Sequence, residues 1–485
     1  MKIGDSREIV RCLPELDVGF VEGAIDSDEL PLSYQLLPWC EDEIVLVLRK
    51  DHELALQYES GWSVQSRSHG SMRELNKPGF RAALAACVVP FAVLADEQEA
   101  LTSLVSRYFD TAFLLKSAEY HYFELNLFLI QTCLLLTALF LMARGPLGNW
   151  SRITLKLTGG RRWLARAAIL SMIYTSLALI RLPFSTMRYF HAHAYGLRND
   201  SLGLYLLDWF KGFLIIWFII IVLGAIILGL FARFPRWWTV LATAATGLLA
   251  IGYALFAPSV IEPLFYEFRP LEDPLLKQRL LKLSTCAGLK VGDILVANAS
   301  RHSDSVNAYV TGIGGTARIV LYDTLLEKFN PDEIAIVLAH EIGHRAGAHI
   351  QKRLLFGIPG LLIALLIADR VFGHCVRKHL GGIASRRDPA LVLPGYALYV
   401  VLTLMVLVPG NMLSRYMETQ ADRTALELSN DPDTFIHTKV RIAQANLSEV
   451  LPPAWVEFAL FTHPSIARRI WMAENYRNNP SACER

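Results

Sequence analysis

Charge is scarce in this chain and nearly balanced. Asp, Glu, Lys and Arg make up only 19% of the 485 residues, and 47 basic against 45 acidic side chains leave a formal net charge of +2. A nucleic-acid-binding protein needs a basic face to neutralise phosphates, so no nucleic acid is expected among the partners. Cysteine is scarce as well. The seven cysteines are scattered and form no C-x-x-C pair, which excludes a disulfide framework and a thiolate metal site. Cys87, Cys133 and Cys375 lie in or next to apolar segments.

What the chain has instead is apolar length. The hydrophobic fraction is 53% and the mean hydropathy is +0.34, too apolar for a soluble protein of this size. Crossing a bilayer takes about 20 apolar residues. Six stretches qualify, at 125–143, 163–182, 212–232, 238–257, 354–370 and 391–409. The segment 212–232, GFLIIWFIIIVLGAIILGLFA, carries no charge at all. Two others are weaker: Arg166 and Asp369 sit near their ends, and Pro359 interrupts 354–370. The expected class is a mainly α, multi-pass membrane protein with six transmembrane helices, or seven if an N-terminal segment also crosses.

Residues 1–56 differ in kind, with short alternating strand patterns such as LDVGFVEG and DEIVLVLRKDHELA. They resemble a fragment of the effector-binding domain of LysR-type transcriptional regulators, without the DNA-binding helices. Residues 57–95 follow as a linker. From Met72, Arg73, Lys77 and Arg81 precede a short apolar run, 82–95, that ends in Val-Leu-Ala before Asp96. That is the pattern of a secretory signal peptide, and it suggests a working start near Met72, with 1–71 a fusion or a misassigned start. The competing reading is a seventh, Pro-containing membrane helix. The remaining organisation is expected to be a four-helix membrane region at 96–257 and a catalytic region at 258–485 interrupted by two membrane helices, 354–409.

The chemistry is concentrated at VLAHEIGHRAGAHI, 337–350. On a helix, residues four apart share a face, so His340 and His344 can aim imidazole nitrogens at one ion while Glu341 projects beside them. Two imidazoles and a carboxylate suit zinc and leave a position for water; Glu341 would take the proton from that water as it attacks a scissile carbonyl. Pro331-Asp332-Glu333 forms a plausible first turn for this helix. The third histidine, His349, falls one residue short of the H-E-x-x-H-x-x-G-x-x-H pattern. On a continuing helix it would lie about 140° from His344, so it is expected to be a flanking polar residue near the membrane surface. The missing ligand is sought in SRYMETQADRTALEL, where Glu418 and Asp422 stand four apart. Glu418 would complete a His-His-Glu site, and Asp422 could accept a hydrogen bond from the far nitrogen of a ligating histidine. Both motifs flank the two-helix insert, so two crossings return them to one side of the membrane.

At this point the chain resembles the integral-membrane zinc metallopeptidases typified by the type I CAAX prenyl proteases, over roughly 163–472. The motifs are LPFSTMRYFHAHAYGL (182–197), APSVIEPLFYEFRPLED (257–273), NAYVTGIGGTARIVLYDTLL (307–326), HEIGH, SRYMETQAD and THPSIARR (462–469). The resemblance implies a gluzincin-type zinc peptidase domain carrying a small β-sheet, one Zn2+ per chain, and a membrane-embedded zinc metalloendopeptidase. Asn307, Ala308 and Tyr309 match the family's edge strand, which pairs with the backbone of a bound peptide. His463 and Arg469 match its His-Pro-Pro-x-x-x-Arg element, with Ser465 in place of the second proline. There they can hold the developing oxyanion or the carboxylate end of the substrate. The implied partners are the lipid bilayer and a peptide or membrane-protein substrate, prenylated in the eukaryotic members. Heat-shock membrane peptidases of the HtpX type share the zinc motifs but are shorter. A non-catalytic interaction protein and a ligand-sensing fusion are the remaining readings.

The loops 144–162, 233–236 and 371–389 are all basic. With six crossings they share one side, which the positive-inside rule makes cytoplasmic; the zinc segment would then face outward. The resemblance implies the opposite orientation.

Overall fold

The computed structural model describes three strands within the first 49 residues and residues 99–478, apart from 145–146, 289–291, 312–317 and 384. The signal-peptide pattern at 72–95 lies outside the described residues. Two compact units divide at Ser103. In the first, β1 (Val18–Glu22), β2 (Tyr34–Pro38) and β3 (Ile44–Arg49) form an antiparallel sheet in the order β1-β3-β2. Phe20 stands opposite Leu46, and Leu36 opposite Val47. β1 and β3 fall in the alternating stretches LDVGFVEG and DEIVLVLRKDHELA, and β2 lies between them.

The second unit is mostly helical. Among the described residues, six helices are long and apolar enough to cross a membrane. They are α1 (Thr111–Arg144), α3 (Arg162–Ala194), α4 (Leu202–Arg233), α5 (Trp238–Val260), α9 (His349–Arg377) and α10 (Val392–Ser429), with a short helix α2 (Leu147–Leu157) after the first. All six expected spans fall within these helices, give or take one residue. Large apolar side chains such as Phe218, Leu248 and Met405 are exposed along them, as a surface facing hydrocarbon requires. The two charges that weakened the sequence pattern are partnered. Buried Arg166 donates from Nη1 to the Leu228 carbonyl at 3.2 Å, and Asp369 accepts from Trp238 Nε1 at 2.9 Å.

One sequence expectation needs correction. Pro359 does not interrupt its segment, because α9 runs through it from His349 to Arg377. The last span continues without a break into SRYMETQAD. Together they form one 38-residue helix, α10, which carries Glu418 and Asp422 on its final turns.

The rest of the unit frames the site. A four-stranded sheet has the order β4-β5-β7-β6, with β4 (Phe268–Pro270), β5 (Asp293–Ala297), β6 (Ala308–Thr311) and β7 (Arg318–Tyr322). β5 and β7 are parallel and the other pairs antiparallel, which leaves β6 at an edge. Helix α6 (Pro274–Cys286) and the short α7 (Asp323–Lys328) accompany the sheet, and α8 (Pro331–Ala346) follows. Ile334, Leu338 and Ile342 of α8 share one buried core with Ile319 and Leu321 of β7. Asn330 caps α8: its side chain accepts from the Asp332 and Glu333 N–H groups while Glu333 accepts from the Asn330 N–H. Such a capping box contributes about 1 kcal/mol. Buried Glu333 also accepts from His437 Nδ1 at 2.9 Å and Arg441 Nη1 at 2.6 Å, which ties α8 to α11 (Pro432–Ala445). Helices α12 (Ala454–Leu460) and α13 (Ile466–Asn478) complete the unit.

Candidate metal centre

One turn of α8 separates His340 from His344, and their Nε2 atoms approach to 3.1 Å. Helix α10 brings Glu418 against them, with Oε2 3.2 Å from His340 Nε2 and Oε1 3.4 Å from His344 Nε2. Zinc bonds of about 2.0–2.1 Å at tetrahedral angles separate neighbouring ligand atoms by about 3.3 Å. The three side chains therefore stand at the spacing of one zinc tetrahedron. The buried Glu418 Oε2 has no hydrogen-bond partner, and an unsatisfied buried carboxylate oxygen is costly. A cation between the two imidazoles and this oxygen removes that cost, so the donor set fits a divalent metal. His340, Glu341 and His344 also form a group whose ligand atoms lie within 4.8 Å of one another. Burial raises the Glu341 carboxyl above its ordinary value, and the two imidazoles pull against that rise.

The helices can come this close because of Gly343. A Cβ at that position would sit 2.8 Å from both Cα and O of Ala421 on α10. Gly343 lies between the two histidines in sequence, and Ala421 lies between Glu418 and Asp422.

Asp422, fully buried, anchors the far side of His340. Its Oδ1 lies 2.8 Å from His340 Nδ1, close but off the line of a regular hydrogen bond, and 3.0 Å from Lys439 Nζ. Arg469 donates to it twice, from Nε and Nη2, at 2.7 Å each. Burial and the Arg469 charge bring the Lys439 ammonium down to about 8, against the pull of Asp422. Burial would lower Arg469 too, but the Asp422, Glu418 and Glu341 carboxylates together outweigh it and the net shift is upward. Arg469 is thus engaged with Asp422; the resemblance implied a role toward an oxyanion or a substrate carboxylate. His463 is half-exposed at the rim, with Nε2 3.4 Å from Glu418 Oε1.

Asn307, Ala308 and Tyr309 lead into and begin the edge strand β6. The Asn307 carbonyl accepts from Tyr322 N–H at 3.1 Å, and Tyr309 OH donates to Glu262 Oε2 at 2.9 Å. A cavity of about 690 Å3 opens beside Asn307 and Tyr322, walled by Tyr205, Trp209, Phe265 and Tyr266.

His349 is not the surface residue expected. It is 3% exposed, and its ring meets that of His344 edge-on at 5.0 Å between centroids. The expectation assumed a continuing helix. Instead α8 ends at Ala346, Ala348 adopts φ +51°, and α9 begins at His349. Sequence reasoning also missed Lys439 and Gly343. Nothing in FIHTKVRIAQA marks Lys439 as buried, whereas a glycine one residue before the second histidine of HEIGH could have been taken as a sign of close helix packing.

The comparisons with known proteins agree with this geometry. Residues 270–477 match the family model for peptidase family M48, and residues 91–267 match the CAAX prenyl protease N-terminal model, described as five membrane helices. Four long helices lie within that second range among the described residues. The uncharacterized metalloprotease YhfN of Bacillus subtilis is 30% identical over 318 residues, 64% of this chain and 73% of that protein. The chain belongs to peptidase family M48. Among other relatives, CAAX prenyl protease 1 of Saccharomyces cerevisiae is 28% identical, covering 62% of this chain and 70% of that one. The crystal structure of S. mikatae Ste24p shares the fold, with a TM-score of 0.66 and 22% identity, over 76% of this chain and 90% of that one. This M48 member is an integral, multi-pass membrane metalloendopeptidase of the CAAX prenyl protease type with a metal cofactor, and the shorter heat-shock reading is not favoured.

Proposed function

We propose that His340, His344 and Glu418 hold one zinc ion per chain and that Glu341 is the general base of peptide-bond hydrolysis. The observation that carries this reading is the 3.1–3.4 Å spacing of the three donor side chains, with an orphaned carboxylate oxygen among them. Zinc bound there would act as a Lewis acid toward water and the scissile carbonyl. Glu341, beside both histidines, takes a proton from the attacking water and passes it to the departing amine. A carboxyl held above its ordinary range by burial suits that exchange. His463, at the rim, donates toward the oxygen on which negative charge develops. Arg469 and Lys439 hold Asp422, and Asp422 orients His340.

The substrate segment pairs its backbone with the open edge of β6 at Asn307–Tyr309, and one of its side chains enters the aromatic cavity beside Asn307. Proteins named CAAX prenyl protease act on prenylated substrates by that name. For this chain, the substrate class is peptides and membrane proteins, lipidated ones included.

Glu341→Gln keeps the size of the side chain and removes the base. Hydrolysis should fall at least about 100-fold with zinc content still one per chain, measured by atomic absorption beside a peptide-cleavage assay. Cleavage that persists at the wild-type rate refutes the assignment of Glu341.

A further inference from the structure

The turn between α8 and α9 folds the His349 ring beneath His344, and the two Nδ1 atoms stand 2.8 Å apart. The other nitrogen of His349, Nε2, lies 3.2 Å from Gln420 Oε1 on α10. The same Gln420 atom lies 3.1 Å from Lys352 Nζ, and Gln420 Nε2 donates to Tyr416 OH at 2.9 Å.

For a neutral His349 ring, these contacts set which nitrogen carries the proton. An ammonium can only donate, so the Gln420 atom that faces both Lys352 and His349 is the amide oxygen. His349 must then donate from Nε2, which leaves its Nδ1 as an acceptor in the neutral ring. The proton between the two Nδ1 atoms therefore belongs to His344. With its proton on Nδ1, His344 has a lone pair on Nε2, the atom turned toward His340 and Glu418.

We infer that His349, oriented by Gln420, is a positioning residue that locks His344 in the Nδ1–H tautomer and delivers its Nε2 lone pair to the metal. This rests on the reading that His344 is a metal ligand. The two ligand histidines are thus supported differently: His340 faces the Asp422 carboxylate, and His344 faces a neutral imidazole.

Two local features accommodate the contact. Ala348 takes a left-handed φ of +51°, unusual for a residue with a side chain. Gly347 has an ordinary φ of −71°, so its backbone does not call for glycine. Space does, because a Cβ there would collide with Nε2 of the His349 ring and lie 2.8 Å from its Cδ2.

The test compares His349→Leu with His349→Asn in the full chain, purified in detergent. Leu and Asn have similar shapes, but only Asn places an acceptor near the position of Nδ1. Zinc affinity is measured by competition with a chelator, alongside the melting temperature of the metal-free protein. His349→Leu should weaken zinc binding about 10–100-fold, and His349→Asn should recover most of that loss. Equal weakening in both variants would mean that His349 only fills space, and unchanged affinity in His349→Leu would mean that it does nothing for the metal; either result overturns the inference. Should His349→Leu not fold, Gln420→Leu carries the test, with a smaller loss in the same direction expected and no loss overturning it. His344→Ala is the control for the underlying reading. If that variant binds zinc as tightly as wild type, the ligand assignment itself has failed, whatever the His349 variants do.

Discussion

Asp422 shows how much a single residue can carry in this protein. Its carboxylate is wholly buried against His340, Lys439 and Arg469. A buried charge in such a cluster costs little while all its partners remain. Removing one leaves the others uncompensated, at about 3–5 kcal/mol. Asp422→Asn keeps the shape and removes the charge, so the metal-free protein should melt at a clearly lower temperature. Combining Lys439→Met with Asp422→Asn should recover part of the loss, since one stranded cation is then gone. An unchanged melt in Asp422→Asn would mean that the cluster contributes nothing to stability. This network was half legible in advance. Asp422 stood out because it repeats the four-residue spacing of His340 and His344, and Arg469 because of its motif. Lys439 did not, since a buried lysine inside an amphipathic helix looks like any exposed one until its partner is placed.

At the scale of elements, the site depends on how closely α8 and α10 approach. Gly343→Ala puts a methyl group 2.8 Å from the backbone of Ala421, where no flexible side chain can yield. Overpacking of this kind costs about 1–3 kcal/mol. It should also separate His340 and His344 from Glu418, so zinc affinity is expected to fall even though no ligand has changed. Wild-type affinity in that variant would show that the helices can part without disturbing the donors. A second element contact lies farther away. Burial alone would raise the Glu474 carboxyl, but Tyr108 OH and Arg107 donate to it at 2.6 and 2.9 Å and hold it below its ordinary value. A carboxyl depressed on folding stabilises above its unfolded value, about 4.3, and loses that contribution as pH falls through the folded value. Glu474→Gln should therefore lower the melting temperature at about pH 7 and converge on wild type in more acid solution. A gap that stays constant with pH would exclude the charge as its cause. Long apolar runs and the HEIGH helix were plain in the sequence because their periodicity extends over many residues. The turn at Gly347–Ala348 was not, because a left-handed alanine has no residue-type signature, and that one turn decides where His349 points.

At the scale of the molecule, the membrane helices separate two chemically different ends. Helix α9 starts at His349 beside the metal site and ends at Arg377 in a basic loop; at 1.5 Å per residue it spans roughly 43 Å, more than the ~30 Å hydrocarbon core. The far end gathers the basic loops. Ser151 donates to Asp388, Arg386 stacks over Phe231 at 4.5 Å, and Trp238, Phe372 and Ile383 share one buried cluster. The loops 144–162, 233–236 and 371–389 thus meet at one end of the bundle, as counting crossings required, and that relation holds however many helices precede α1. Their charge predicts a cytoplasmic location, with the metal site on the opposite face. A reporter fused within 375–385 measures this directly. Cytoplasmic reporter activity would mean that substrates reach the open edge of β6 from outside. Activity on the outer side would place the metal site in the cytoplasm, as resemblance to the prenyl proteases implies, and show that something other than loop charge sets the topology of this chain.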